Sequence, residues 1–320
     1  MGDGTPRASR DRSGHAGRRC GRRGLRFPRE APVTGTVRLR AHAKLNLYLR
    51  IHATRPDGFH DLTSVFHAID LADDVEMAPG AGVTMSMEVP GEIEGTANLA
   101  ARALASLGAE QLAIDITKRI PVAGGLGGGS ADAAAVLLGA RDCLDMSMSD
   151  DELSELGATI GSDVPFFVRG DGTALVAGRG DRVTGLECPH TFWFVIGVSF
   201  SPLATGDVYS RWDELDPAPA PASAEAMIEA VTTGDVAGVG ALLYNDLEPA
   251  AVALVPGLAA RKEALQECGA LGALVSGSGP TIFGLAAGPE HAQEIAEAAS
   301  GLFDRLHVVA SSLRSVQRVR

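Results

Sequence analysis

The residues best suited to chemistry in this chain are a glycine run and a few charged or ring-bearing side chains beside apolar segments. Gly124, Gly125, Gly127, Gly128 and Gly129 stand together in PVAGGLGGGSADAAAVLLGA. Glycine accepts positive φ and lets backbone N–H groups come close to a ligand, and the Ala-rich segment Ala131–Cys143 behind the run is a strong helix former. A helix starting there aims unpaired N–H groups and a partial positive charge at the turn. The stretch Pro121, Val122, Ala123, Gly124, Gly125, Leu126, Gly127, Gly128, Gly129, Ser130 therefore reads as an anion cradle. It lacks the GK[ST] ending of a P-loop, so a lysine that touches phosphate must come from elsewhere. It also fits a dinucleotide fingerprint poorly, because the long alternating βαβ series is absent. A flexible linker or a close-packed turn is the competing reading, and the strand expected before the run weighs against it.

Lys44 sits in the apolar stretch AKLNLYL, with Asn46 two residues on and so on the same face of a strand. Such a lysine could place an ammonium in a pocket; a solvated strand-edge charge fits the same pattern. Asp163 precedes Val164-Pro165-Phe166-Phe167, which puts a carboxylate at the mouth of an expected buried strand. A partly desolvated carboxylate suits a general base, and a plain turn aspartate is the alternative. Phe59 and His60 follow a Pro56-Asp57-Gly58 turn. An exposed ring and imidazole there could stack on and hydrogen-bond a base, or plug a core edge. The SGSGP turn, Ser276 to Pro280, is a second N–H-rich turn and says little alone.

These residues need strands and helices to hold them. Alternation from Val37 to Ile51 predicts one or two strands, followed by strands at Thr63 to Ile69 and Val83 to Val89. A helix is expected over Asn98 to Leu107 and a strand over Leu112 to Ile116, leading into the glycine run. Ser149 or Asp150 caps a further helix, which Gly161 ends. Later come a strand at Phe192 to Val198, a loop at Asp216 to Ala222, and helices at Ser223 to Thr232, Val236 to Leu243 and Val255 to Glu267. Strands at Leu271 to Val275 and Thr281 to Leu285, a helix from Pro289 to Leu302 and a strand at Leu306 to Ala310 close a β-α-β order typical of an α+β sandwich.

At 320 residues, 45% of them hydrophobic, the chain can bury one or two cores. The net charge of −12 is unevenly spread: residues 1–30 carry nine Arg and three acids, leaving 19 basic and 37 acidic residues elsewhere. So acidic a body argues against nucleic acid as a partner. No apolar run reaches the roughly 20 residues of a membrane helix, so no membrane partner is expected. Cys20, Cys143, Cys188 and Cys268 form no CxxC pair, and a reduced cytoplasmic protein is the simplest reading. The Arg- and Gly-rich start reads as a disordered extension, and translation from near Val33 would remove it.

Taken together and in order, AKLNLYL…RPDGFHDL, IPVAGGLGGGSADAAAVL, GSDVPFFV and LVSGSGPTIFGL resemble the GHMP kinases, named for galactokinase, homoserine kinase, mevalonate kinase and phosphomevalonate kinase. The resemblance runs from about residue 35 to the C-terminus. It implies a two-domain α+β fold with the active site in the cleft between domains. Residues 35–184 would form an ATP-binding domain like the second domain of ribosomal protein S5, and residues 185–320 a ferredoxin-like domain, with 1–34 outside both. It also implies ATP as phosphoryl donor and Mg²⁺ beside it, with the Ser130 hydroxyl a candidate metal ligand. The pairing of AKLNL with RPDGFH is similar to members of isoprenoid precursor synthesis whose small-molecule acceptor carries a cytidine diphosphate.

Roles follow from the resemblance by position. Asp163 takes the proton of the acceptor hydroxyl, and Lys44 pairs with it and neutralises charge on the transferred phosphoryl group. Asn46 orients the acceptor's hydroxyls. Phe59, His60 and Tyr209 recognise the cytosine, Asn98 and Lys118 fall at the adenosine, and Gly124 to Ser130 wrap the phosphates. Phosphoryl transfer asks mainly for alignment and charge stabilisation, which these residue types supply. One departure is His42, where the family pattern has proline before the Ala-Lys pair; proline would stiffen the approach to the strand. Another acceptor (homoserine, mevalonate or a sugar) on the same scaffold, or a non-catalytic ligand sensor, are the competing functions.

Overall fold

The computed structural model describes residues 1–2, 35–88, 98–201, 203–215 and 223–319. The expected disordered extension, apart from its first two residues, and the loop Asp216 to Ala222 lie outside the described residues. Two long strands, β1 (Val37–Thr54) and β2 (His60–Pro79), form an antiparallel hairpin around the Pro-Asp-Gly turn, where Gly58 N–H donates to Arg55 O at 3.0 Å. The register of this hairpin slips at His42/Ala43, at Asn46/Tyr48 and at Ile51/Ala53. Bulges of this kind bend a strand and re-aim its side chains. From Ala41 to Leu49 every residue of β1 is buried, so the strand is covered on both faces and alternation fails there.

β3 (Gly82–Met87) and β4 (Leu112–Lys118) extend this sheet beyond β2, while β5 (Thr173–Gly178) and β6 (Arg182–Gly185) add to another stretch of β2. Two later strands, β8 (Tyr244–Asn245) and β12 (Val316–Val319), both pair with β1. The boundary expected between residues 184 and 185 falls at the end of β6, and β8 and β12 cross back over it.

Four helices pack one face of this sheet: α1 (Leu99–Ser106), α2 (Gly128–Cys143), α3 (Asp150–Ile160) and α4 (Val164–Arg169). α2 is almost wholly buried and approaches the sheet so closely that a Cβ at Gly139 would lie 1.7 Å from Met77 Cε. Its Ala-rich composition is what permits that distance. Ser149 caps α3 through a reciprocal capping box with Glu152.

The second sheet, β7 (Trp193–Val198), β9 (Gly272–Val275), β10 (Ile282–Ala286) and β11 (Arg305–Ala310), is antiparallel in the order β11-β7-β10-β9. Around it run α5 (Thr205–Asp213), α6 (Ala224–Thr233), α7 (Val236–Leu242), α8 (Glu248–Leu254), α9 (Leu258–Glu267) and α10 (Pro289–Ala298). Phe192, Phe194, Ile196 and Phe283 meet Leu45, Leu47, Val65 and Ile69 in one buried cluster, so the two sheets share a core.

Three expectations are corrected. The apolar run after Asp163 is a helix, α4, with Pro165 in its first turn, not a strand: five apolar residues in a row do not fix a period, and proline is at home in a helix's first turn. The helix expected over Val255 to Glu267 begins only at Leu258, as α9, after Gly257, whose φ is +80°, and the residues before it form a separate helix, α8, outside that expectation. TGDVYSRWD, left without structure, forms α5.

Candidate active site

The glycine run holds its backbone in conformations that need glycine. Gly125 and Gly127 have φ of +77° and +75°, and Ala123 joins them at +54°. A Cβ at Gly125 would lie 2.0 Å from the carbonyl oxygen of Ser276, so the SGSGP turn is pressed against this loop, and Ser276 Oγ donates to Gly125 O at 3.1 Å. Gly127 is the N-cap of α2 and offers no side chain, so the first N–H groups of this 16-residue helix stay uncapped. They open on a cavity of about 860 Å³ lined by every residue from Pro121 to Ser130. A helix start of this kind binds anions through its N–H groups and dipole.

Lys44 is placed under this loop by β1. Its N–H donates to Leu126 O at 2.9 Å, and a Cβ at Gly127 would meet its Cγ at 3.0 Å. The ammonium is buried, donates to Asn46 Oδ1 at 2.5 Å, stands 3.7 Å from Asp163 Oδ2 and lies 4.7 Å over the Phe66 ring. Desolvation lowers its pKa, and Asp163 opposes that. Asp163 is the N-cap of α4 but its carboxylate caps nothing, and 29% of its side chain is exposed. In such a pair the carboxylate can accept a proton while the buried ammonium beside it balances charge at the same point. Asn46 is held by a second bond, Nδ2 to Ser64 Oγ at 3.0 Å.

At another part of the cavity a ring cluster surrounds His60. Its Nε2 is 2.7 Å from Asp213 Oδ1, Tyr209 lies over it at 4.9 Å and 30°, and Trp212 meets it edge-on at 5.4 Å. Phe59 is 46% exposed, with the Arg179 guanidinium 5.3 Å from its ring. Burial first, then the charge of Asp163, pushes the Tyr209 hydroxyl above its usual range, so it stays a neutral phenol.

Asn98 and Lys118 also line the cavity, though their polar atoms are already engaged. Asn98 Oδ1 caps α1 by accepting from Ala100 and Ala101 N–H. Lys118 is buried between Asp73 and Asp132, 2.6 Å from the latter, and these carboxylates override desolvation and raise its pKa. Burial holds the Asp132 carboxyl up at about 7 in spite of Lys118. Asp73 also accepts from Arg119 and Ile120 N–H at 2.5 and 2.9 Å, fixing the approach to the glycine loop. The structure thus brings every expected site residue to one cavity and adds Asp132, Arg179 and Asp213 to its lining, with Asp73 buried behind Lys118. Of these additions only Asp213 left a trace in the sequence, three and four residues being the helical spacing from Tyr209 to Trp212 and Asp213.

Two family models match the chain: "GHMP kinases N terminal domain" over residues 93–171 and "GHMP kinases C terminal" over 227–305. The chain belongs to the GHMP kinase family, a class of small-molecule kinases. Within it, the chain is 42% identical over 279 residues to the 4-diphosphocytidyl-2-C-methyl-D-erythritol kinase of Gloeobacter violaceus, which covers 83% of this chain and 91% of that one. It is 43% identical over 285 residues to the protein of the same name from Thermobifida fusca, covering 84% and 92%. A crystal structure of 4-(cytidine 5'-diphospho)-2C-methyl-D-erythritol kinase superposes with a TM-score of 0.70 at 34% identity, over 86% of this chain and 99% of that one. Homoserine kinase from Cytophaga hutchinsonii shares the fold, at 23% identity and a TM-score of 0.64 over 89% and 98%. No described helix is long and apolar enough to cross a membrane.

Proposed function

We propose that the chain transfers the γ-phosphoryl group of ATP to the 2-hydroxyl of 4-diphosphocytidyl-2-C-methyl-D-erythritol, giving the 2-phosphate and ADP, in the non-mevalonate route to isoprenoid precursors. The observation that carries this reading is one cavity holding the uncapped start of α2, the Lys44–Asp163 pair at 3.7 Å and the ring cluster of Phe59, His60 and Tyr209. Relatives that bear the kinase's name at 42 and 43% identity support the choice of acceptor.

In this reading the N–H groups of Gly128, Gly129 and Ser130 hold phosphate oxygens, with Pro121 to Gly127 wrapped around them and Asn98 and Lys118 bordering the adenosine end. Asp163 accepts the proton of the attacking 2-hydroxyl as the O–P bond forms. Lys44, 3.7 Å away, balances the negative charge gathering between carboxylate and phosphoryl group. Asn46 has spent one amide hydrogen on Ser64 and keeps the other for the acceptor's hydroxyls. Phe59 and Tyr209 stack on the cytosine and His60 hydrogen-bonds its edge. Ser130 Oγ lines the cavity and has no hydrogen-bond partner among the described residues, so it fits a Mg²⁺ ligand. When bound, the ion neutralises β- and γ-phosphate oxygens. We place the reaction in the cytoplasm, which supplies ATP and keeps thiols such as Cys143, Cys188 and Cys268, all unpaired, reduced.

A coupled ADP-release assay with 4-diphosphocytidyl-2-C-methyl-D-erythritol, homoserine and mevalonate tests the proposal. Acceptor-dependent ADP release with the first alone is expected. Faster release with either of the others, or none above the acceptor-free rate, overturns it.

A further inference from the structure

We infer that Asp213 decides which nitrogen of His60 carries the proton, and so makes the ring cluster read an amino group in preference to a carbonyl oxygen. The inference rests on the cytidine reading above and names the residue that gives it base specificity.

His60 Nε2 lies 2.7 Å from Asp213 Oδ1. An ionised carboxylate only accepts, so Nε2 carries the N–H, and in the neutral ring Nδ1 then carries the lone pair. Nδ1 has no hydrogen-bond partner among the described residues, while the ring itself lines the cavity beside Phe59 and Tyr209. The ring is not free to exchange its nitrogens by turning over. Tyr209 lies against one face, Trp212 packs edge-on, and only 7% of the side chain is exposed. Tyr209, Trp212 and Asp213 all come from α5, at the spacing that gathers side chains on one face of a helix. This helix therefore delivers the stacking ring, the edge contact and the proton-fixing acceptor as one unit, against a histidine at the first residue of β2.

A fixed lone pair at Nδ1 accepts a hydrogen bond from the 4-amino group of cytosine. Uracil puts a carbonyl oxygen at that position, and two lone pairs then face each other without a proton between them. A site built around one hydrogen-bonding polarity rejects the opposite one because its own buried group is left unpaired. Without Asp213 nothing holds the proton on Nε2, the neutral ring samples both tautomers, and the Nδ1–H form can donate to the uracil oxygen.

The test pairs kinetics with nitrogen NMR. The ratio of kcat/KM for the cytidyl acceptor to that for its uridyl analogue is measured in the parent, in Asp213→Ala and in His60→Ala. Asp213→Ala should lower the ratio about tenfold, the loss falling on KM for the cytidyl acceptor more than on kcat. In protein labelled at histidine nitrogens, with His60 assigned by its absence in His60→Ala, the parent without acceptor should show Nε2–H and an unprotonated Nδ1. Asp213→Ala should show a mixture. A ratio unchanged within about twofold in Asp213→Ala, or a parent His60 protonated at Nδ1, overturns the inference. If His60→Ala leaves KM for the cytidyl acceptor unchanged, the cytidine reading itself fails, and the nitrogen spectra of the parent still decide the role of Asp213.

Discussion

Lys44 shows at a single residue how function opposes stability. Its ammonium has been taken out of water, which lowers its pKa, and its nearest carboxylate stands 3.7 Å off and partly in solvent. A buried charge so thinly compensated adds little to the fold. Lys44→Met should therefore abolish turnover, by at least about 10²-fold. Thermal melting should place its stability within about 1 kcal/mol of the parent, relief of desolvation offsetting the donor lost to Asn46 Oδ1. A large fall in melting temperature would mean that Lys44 is a structural strut. Asp163→Asn should lower turnover by roughly 10²–10⁴ with ATP affinity kept, read from kcat and a nucleotide titration. Near-parent turnover would remove Asp163 as the base. Both residues stood out in the sequence as candidates, each a charge beside apolar neighbours, while the roles expected of them came from the family resemblance. Asp73 and Asp132, which take up Lys118, were not legible, since 45 residues separate Asp73 from Lys118 and only the folded sheet brings them together.

Among the elements, the glycine run and α2 could be read from composition alone, because five glycines before an Ala-rich stretch leave few other structures open. α4 and α5 could not. VPFFV is apolar in any conformation, and it is a helix because α2 and the sheet bury it on all sides, Phe66 and Phe166 meeting at 5.3 Å. TGDVYSRWD is polar enough to pass for a loop, and its helix becomes apparent only once Val208 and Trp212 are seen in the core and Tyr209 over His60. The pressing of one glycine turn on the other gives a prediction at this scale. Gly125→Ala adds a Cβ 2.0 Å from Ser276 O at a φ of +77°, so it should destabilise by about 2–4 kcal/mol and raise KM for ATP. Gly129→Ala is the control: its Cβ would come no nearer than 3.7 Å to Leu99 Cδ1, inside a helix. Denaturant midpoints should show it as stable as the parent or slightly more so, by up to about 1 kcal/mol. Equal midpoints for the two variants would show that the turns do not interlock.

At the scale of the whole molecule the two sheets are tied by more than a shared core. β12 returns from the second half to pair with β1, and His67 of β2 stands at the junction. Its Nδ1 is 2.9 Å from Thr173 Oγ1 and its Nε2 is 2.7 Å from Ser311 Oγ, with Phe192 and Phe194 against its ring. Nothing in the sequence around His67 announces this position, because its partners lie 106 and 244 residues away. Burial lowers its pKa from 6.5 to about 4. The folded state thus favours the neutral ring, and the unfolded chain takes up a proton first as pH falls. The stabilisation is fully present above about pH 6.5 and is lost as pH drops toward about 4, amounting to about 2 kcal/mol between pH 7 and pH 5. Urea unfolding of the parent and of His67→Gln, which keeps hydrogen-bonding groups without titrating, isolates this contribution from the other histidines and the carboxylates. The parent should lose about 2 kcal/mol more than the variant over that interval. Parallel losses would mean that His67 is already charged in the fold, or that water reaches the seam between the sheets.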